Sequence, residues 1–492
     1  MVDYDPSDDA IKSYYAAIEA KRARGDADPY QQFLARKRIV DPMTGMADVG
    51  ELPAFLFPHQ RDIVAWSLRR GRSAIFAGTG LGKTAMELVW GEKVASHTGK
   101  PVLIFAPLAV SQQHIREASK FGLSAKIVKD QSEVAVGVNV TNYQKIGHFD
   151  LSKFGGVVLD ESSILKSTDG HYRTRLIEEC ASIPFRLAAT ATPAPNDFME
   201  LGNHAEFLGV MSYTDMLATF FIHDGGDTQK WRLKGHAENE FWKWMASWAV
   251  MLRKPSDLGY PNDGYDLPPL IQNQHVVGVN YAPSLDTGLL FPMEARSLSE
   301  RISARRDTVD ERVAMAAELT PADRPFVWWC HLNTEAEALA KAIPGAVNLT
   351  GSDSDDVKER KLIDFSDGRI RVLVTKASLT GFGMNWQHCC DTGFVGLNDS
   401  FEQVFQAVRR FWRFGQTKPV NVHFIAAETE GAVVSNLKRK EADAERMAAS
   451  MVAHMADLSS ATVRGMVRDR PDYNPTKPVL IPDFLRSNRE AA

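Results

Sequence analysis

AGTGLGKT, Ala77–Thr84, lies between the apolar run AIF and the helix-like stretch AMELVWGEK. A strand, a glycine-rich loop and a helix in that order form a phosphate cradle. Gly78, Gly80 and Gly82, with Thr79 among them, permit a tight loop whose backbone N–H groups face phosphate oxygens. Lys83 would neutralise the β- and γ-phosphates, and the Thr84 hydroxyl would ligate Mg²⁺. The general pattern opens with glycine, where this chain has Ala77. Kinases, GTPases and motors all use such a loop, so the flanking sequence has to narrow the choice.

Downstream, GGVVLDE ends an apolar run on Asp160 and Glu161. At the carboxyl edge of a parallel strand, Asp160 would hold Mg²⁺ through water and Glu161 would polarise the attacking water. The surrounding runs GRSAIFAG, PVLIFAPL, VGVNVTNY and FRLAATATP alternate with helical stretches, which predicts βαβ units on a parallel sheet. From about residue 326 the rhythm returns in FVWWC, AVNLT, IRVLVTK, TGFVGL and VNVHFIA. The fold class read from this is α/β, with two lobes. The domain reading is an N-terminal extension over 1–50 and a first lobe over 51–270. Next come a helical linker over 271–325, a second lobe over 326–440, and a C-terminal helix and tail over 441–492. Within the first lobe, 198–262 is rich in Phe, Trp and Met at helical spacing and reads as a helical insertion. Its aromatics, Phe220, Phe221, Trp231, Phe241, Trp242, Trp244 and Trp248, read first as core and second as a platform for unpaired bases.

Composition sets bounds on the function. The chain has 492 residues, 44% hydrophobic and 24% charged, as an ordinary globular protein does. Lys plus Arg number 57 against 62 Asp plus Glu, a formal charge of −5, so a nucleic-acid site would be a local basic cleft on an acidic body. No apolar stretch is long enough to span a membrane and no secretory leader is visible. Four scattered cysteines without a C-x-x-C pair exclude a disulfide framework and a zinc knuckle. The expected setting is the cytoplasm. An arginine-rich stretch at 296–312 reads as a solvated helix or a DNA-facing brace.

The order of motifs resembles helicase superfamily two, the DEAD/DEAH-box group, and most closely its Swi/Snf-type branch. The resemblance runs through LFPHQRDIVAW (56–66), the Ala77–Thr84 loop, FAPLAVSQQH (105–114), VTNYQ (140–144), VVLDESSILKS (157–167) and ATATPAPND (189–197). It continues through WWCHLNTEAEAL, LTGSDSDDVKERKLIDF, VTKASLTGFGMNWQHC and QAVRRFWRFGQ, and covers about residues 51–425. FMELGNHAEFLGVMSYTDMLATFF and AVMLRKPSDLG resemble that branch's helical protrusion and the arginine-bearing segment that closes it. The DESS form resembles compact phage-encoded members, with Ser162 and Ser163 where many relatives place His or Asp.

The resemblance implies two RecA-like lobes, each a parallel sheet flanked by helices, with the helical insertion between them. It implies ATP and Mg²⁺ as cofactors, Gln60 as the reader of adenine, and Arg410 and Arg413 as arginine fingers, with Gln406 beside them. Arg410 and Arg413 stand three apart, on one face if the segment is helical. Nucleic acid would run across both lobes, its phosphates met by backbone and small polar groups around Pro107, Asn142, Tyr143, Gly351, Thr375 and Lys376. Three readings stay open: an ATP-driven motor on duplex DNA, a strand-separating DNA or RNA helicase, and an ATP-gated clamp. No nuclease or specificity domain is visible, so a separate targeting or nuclease partner is expected, in a bacterial or phage-infected cell.

Overall fold

A computed structural model describes residues 43–166, 171–194, 197–224, 227–278, 306, 308–380, 385–396, 401–428 and 431–463. Helix α1 (Pro58–Arg70) leads into β1 (Arg72–Ala77), α2 (Lys83–Thr98), β2 (Val102–Ala106), α3 (Leu108–Lys120), β3 (Ala125–Ile127), β4 (Val138–Asn142), β5 (Gly156–Asp160), α4 (His171–Glu179) and β6 (Phe185–Thr190). The insertion follows: α5 (Leu201–Leu208), α6 (Tyr213–Phe220), an antiparallel hairpin of β7 (Phe221–Asp224) and β8 (Asp227–Leu233), and α7 (Glu238–Trp248). Then β9 (Ala249–Leu252) closes the first sheet.

That sheet is parallel, in the order β3-β4-β2-β5-β6-β1-β9. β1, β2, β5 and β6 are buried almost end to end, because helices cover both faces. The second lobe comprises β10 (Leu270–Val277), α8 (Val309–Leu319), β11 (Phe326–Cys330), α9 (Asn333–Ala342), β12 (Ala346–Asn348), α10 (Asp355–Ser366), β13 (Val372–Lys376), α11 (Ala377–Thr380), β14 (Asp391–Phe394), α12 (Phe401–Val408) and β15 (Val420–Ala427). Its sheet is also parallel, in the order β10-β15-β14-β11-β13-β12. These are two RecA-like lobes with the expected helical insertion.

The structure differs from the expected boundaries in four places. β9 lies inside the segment read as protrusion, yet it pairs with β1 and belongs to the first sheet. β10 lies at the start of the segment read as a helical linker, yet it pairs in register with β15 over eight residues. Its sequence, LIQNQHVV, is half polar because it is an edge strand and only one side needs a backbone partner. Residues 43–50 are not a separate extension: Met46 and Val49 are buried, and the backbone N–H groups of Thr44, Gly45 and Met46 bond the last carbonyls of α1. The fourth difference is α13 (Gly431–Val463), which leaves the second lobe and packs on the first, against α7 and β9. Met451 and Met455 lie in the same core as Trp242, Trp244 and Trp248, and the His454 ring stacks on Trp242. Residues 1–42 and 464–492, including most of the extension and the tail, lie outside the described residues.

The core reading of the insertion aromatics holds. Phe220, Phe221, Phe241, Trp242, Trp244 and Trp248 are buried, and Trp231 packs against them. Cys180, Cys330 and Cys389 are buried free thiols and Cys390 is half-buried. Most of the arginine-rich stretch lies outside the described residues, but Arg312 is neither solvated nor DNA-facing. It is fully buried and pairs with the equally buried Glu335 at 2.6 Å, while Glu335 also accepts from the backbone of His331 and Leu332. Arg312→Leu strands that carboxylate, so the second lobe should lose about 3–5 kcal/mol. Urea unfolding followed by the fluorescence of Trp328 and Trp329 measures it; a loss under about 1 kcal/mol would show the pair to be dispensable.

Candidate active site

The carboxyl ends of β1, β5, β6 and β9 converge on one edge of the first sheet, the edge where open α/β sheets bind ligands. The loop after β1 is anchored on both sides. Gly78 N–H donates to Leu252 O at 2.9 Å, and Lys83 Nζ donates to Ala77 O at 2.9 Å. Gly80 and Gly82 have φ of +87° and +78°, a conformation that disfavours any side chain. A Cβ on Gly82 would lie 2.3 Å from Gln60 Nε2, and one on Gly80 would lie 2.8 Å from Phe414 N. Gly82 caps α2, so the free N–H groups of the first turn, with Lys83 and Thr84, face the loop. The loop is therefore a cradle whose walls come from α1 on one side and the second lobe on the other. These residues fit a nucleotide triphosphate with Mg²⁺, which would supply the scissile phosphoanhydride and the counter-charge on its oxygens.

Gln60 closes this loop from α1. Its Nε2 donates to Leu81 O at 2.9 Å and its Oε1 accepts from Phe57 N–H at 3.0 Å. Both ends of the carboxamide thus tie the start of α1 to the phosphate loop.

Asp160 ends β5, buried, and Glu161 follows it with φ +54°. A left-handed glutamate costs on the order of 1–3 kcal/mol, and such strain is held where a side chain must be aimed. Thr190, at the end of β6, donates to Glu161 Oε2 at 3.2 Å and also accepts from Thr192 N–H. The ATATP segment is thereby wired to the glutamate by one hydroxyl. Burial raises the Asp160 carboxyl above its ordinary value, and the Glu87 charge adds to this, while His114 and Lys83 oppose it. Ser162 and Ser163 are buried, and Ser162 Oγ lies 3.1 Å from His204 Nε2 on α5. Burial pushes His204 down to about 4, so the ring is neutral and this contact carries no charge. The short DESS serines still contact the neighbouring element: Ser162 reaches the insertion through His204.

The second lobe reaches this edge through Arg409–Gln416. The condition for a shared helical face is not met. α12 stops at Val408, and in the turns that follow Arg410, Phe411 and Gln416 N–H bond three residues back while Trp412 N–H bonds four back. Packing fixes these turns: Phe411 is buried in the second core, and Trp412 Nε1 donates to Pro268 O at 2.6 Å. Gln406 remains on α12, buried, with Nε2 lacking a hydrogen-bond partner among the described residues. Arg410 is buried, its guanidinium 5.4 Å from the Trp386 ring, and burial beside Arg413 lowers its pKa to about 9. Arg413 is lowered by burial as well, and its Nε is buried without a hydrogen-bond partner among the described residues. Glu161 exerts a charge effect on both arginines. Phe414 then wedges between the phosphate loop and the rings of Phe57 and Tyr265, 6.1 and 4.6 Å away.

The nucleic-acid positions divide. Tyr143 is buried and donates to Asp160 O at 2.7 Å, and Thr375 is buried with its hydroxyl 3.4 Å from Leu349 O. Both hold strand ends in place, so neither side chain is on a contact surface. Gly351 is exposed, Pro107 and Lys376 are half-buried, and Asn142 is buried with Oδ1 lacking a hydrogen-bond partner among the described residues. Thr190, His204 and Phe414 are the site residues that sequence reasoning missed. Their signals, a hydroxyl in ATATP and a histidine and an aromatic in mixed segments, acquire meaning only across the fold.

No family model matches the chain. In sequence it is 25% identical to protein p41 of Acyrthosiphon pisum secondary endosymbiont phage 1, over 75% of this chain and 92% of the phage protein. In structure it is similar to the Sulfolobus solfataricus SWI2/SNF2 ATPase core in complex with dsDNA, with a TM-score of 0.39 and 17% identity, covering 87% of this chain and 98% of that one.

Proposed function

We propose that this chain is an ATP-dependent motor that uses ATP and Mg²⁺ to translocate on duplex DNA, as a compact, phage-type member of the Swi/Snf-like branch. The observation that carries the reading is the meeting of Lys83, Glu161 and the Arg410–Arg413 segment at one interlobe edge, with Phe414 seated on the phosphate loop.

In this reading the loop N–H groups and Lys83 bind the phosphates, and Thr84 and Asp160 hold the cation. Glu161, aimed by its backbone and by Thr190, takes a proton from the attacking water. Arg410 and Arg413 offset the charge that grows on the transferring oxygens. Because they belong to the second lobe, hydrolysis requires closure, and each cycle shifts one lobe against the other. Pro107, Asn142, Gly351 and Lys376 would meet phosphates of one strand, giving backbone recognition without base readout. The similarity to p41 supports a phage or bacterial setting, in which a separate partner supplies targeting.

Duplex tracking is favoured over strand separation by the α5–α7 protrusion after ATATP, and because tracking phosphates avoids an unstacking cost on the order of 1.4 kcal/mol per step. Displacement of a triplex-forming strand and unwinding of a fork, compared in one buffer, test it. Triplex displacement with negligible fork unwinding is expected. Fork unwinding without triplex displacement would establish the strand-separating helicase instead.

A further inference from the structure

The helix after the phosphate loop carries a carboxylate that the proposed chemistry does not use. Glu87 lies one turn beyond Lys83 in the otherwise apolar run AMELVW, and it is buried. Its Oε2 is 3.1 Å from Nε2 of His114, itself fully buried on α3. The same Nε2 is 3.6 Å from Asp160 Oδ2. The ring cannot turn away, because Nδ1–H donates to Val110 O at 3.1 Å, one turn back on its own helix. The three ligand-type atoms lie within 4.8 Å of one another, and Glu87 Oε1 is buried with no hydrogen-bond partner among the described residues. Two carboxylates in an apolar interior repel unless a cation stands between them. Here the His114 ring stands between them, with Nε2 facing an oxygen of each.

We propose that His114 is a positioning residue for Asp160: fixed by Val110 O and braced by Glu87, it holds one Asp160 oxygen so that the other is presented to the Mg²⁺ that accompanies the nucleotide. This rests on the ATPase reading above. The arrangement joins side chains from three elements: the phosphate-loop helix, α3 and the end of β5. Groups that orient a metal-holding carboxylate in this way typically change metal affinity or activity by about 10–100-fold when removed.

The test uses the full chain and a fluorescent ATP analogue, titrated with Mg²⁺ in wild type, His114→Leu, His114→Gln and Glu87→Gln. Thermal unfolding is measured on each. His114→Leu should raise the Mg²⁺ concentration for half-maximal nucleotide binding by at least about tenfold. Nucleotide affinity in EDTA should be unchanged. His114→Gln, which can place a donor near the Nε2 position, should recover most of the shift, and Glu87→Gln should fall between. Equal losses of melting temperature in the two His114 variants with an unmoved Mg²⁺ midpoint would overturn the proposal and leave a purely structural triad. Tight binding of Mn²⁺ or Zn²⁺ to nucleotide-free protein, lost on replacing any of the three, would overturn it too, since the residues would then be direct ligands. A wild type that binds no nucleotide at all would bring down the ATPase reading, and this inference with it. Normal Mg²⁺-dependent wild-type binding with unshifted variants brings down this inference alone.

Discussion

Glu161→Gln should keep nucleotide and Mg²⁺ binding within about twofold of wild type while slowing hydrolysis by at least about 10²-fold, as loss of a general base does. The substitution is close to isosteric. Its amide oxygen can still accept from Thr190, so the ATATP segment stays attached and the left-handed backbone keeps its aim. What disappears is the basicity needed to take a proton from water. Single-turnover hydrolysis and equilibrium binding of a fluorescent nucleotide, measured on the same preparation, separate the two effects. Near-normal hydrolysis would reassign the base. Lys83→Ala, by contrast, should weaken binding and hydrolysis together, because its charge acts on the phosphates before and during the reaction.

Removal of the second-lobe arginines should cost even more. Arg413→Ala and Arg410→Ala should each lower DNA-stimulated hydrolysis by about 10³-fold or more, within the range known for arginine fingers, while first-lobe nucleotide binding persists. The structure explains why the cost is large: Arg413 Nε is buried without a hydrogen-bond partner among the described residues and Arg410 is buried beside it, so their charge is concentrated where desolvation makes it effective. Arg413→Lys should restore little, since an ammonium cannot reproduce the guanidinium fork. ATPase rates with and without duplex DNA at matched salt are the readout. Equal basal and stimulated rates in the alanine variants and wild type would show that closure contributes nothing to chemistry.

The parts of this molecule that were legible in sequence are those where local chemistry is decisive. AGTGLGKT and GGVVLDE need their glycines, lysine and carboxylates wherever they occur, and both lie where expected, at the ends of β1 and β5. The apolar strand runs were legible because both faces of each sheet are covered. β10 was not, since an edge strand needs no continuous apolar run and LIQNQHVV carries none. Whether the Arg410–Arg413 segment is helical was left open by the sequence, for a related reason. Helical spacing is a local property, whereas Trp412 and Phe411 are bound to distant partners, Pro268 O and the second-lobe core, that spacing does not show. Glu87, His114 and Asp160 are far apart in sequence, and only the fold shows that their charges share one pocket. Tyr143 and Thr375 carry hydroxyls in motifs that the resemblance led one to expect at phosphates, yet their burial spends those hydroxyls on the protein's own backbone.

The return of α13 to the first lobe has a consequence for how the chain is made. The last strand of the first sheet ends at Leu252, whereas Met451 and Met455, which complete its core, emerge about 200 residues later. At synthesis rates of roughly 5–20 residues per second, that interval is about 10–40 s. Through all of it the face of α7 and β9 that receives α13 lacks its partner, and the first lobe cannot reach its final state before the second has been translated. In birth order the second lobe is an insertion within the first. A chain released anywhere before Gly431 would lack the helix that stacks His454 on Trp242 and places Met451 and Met455 in this core.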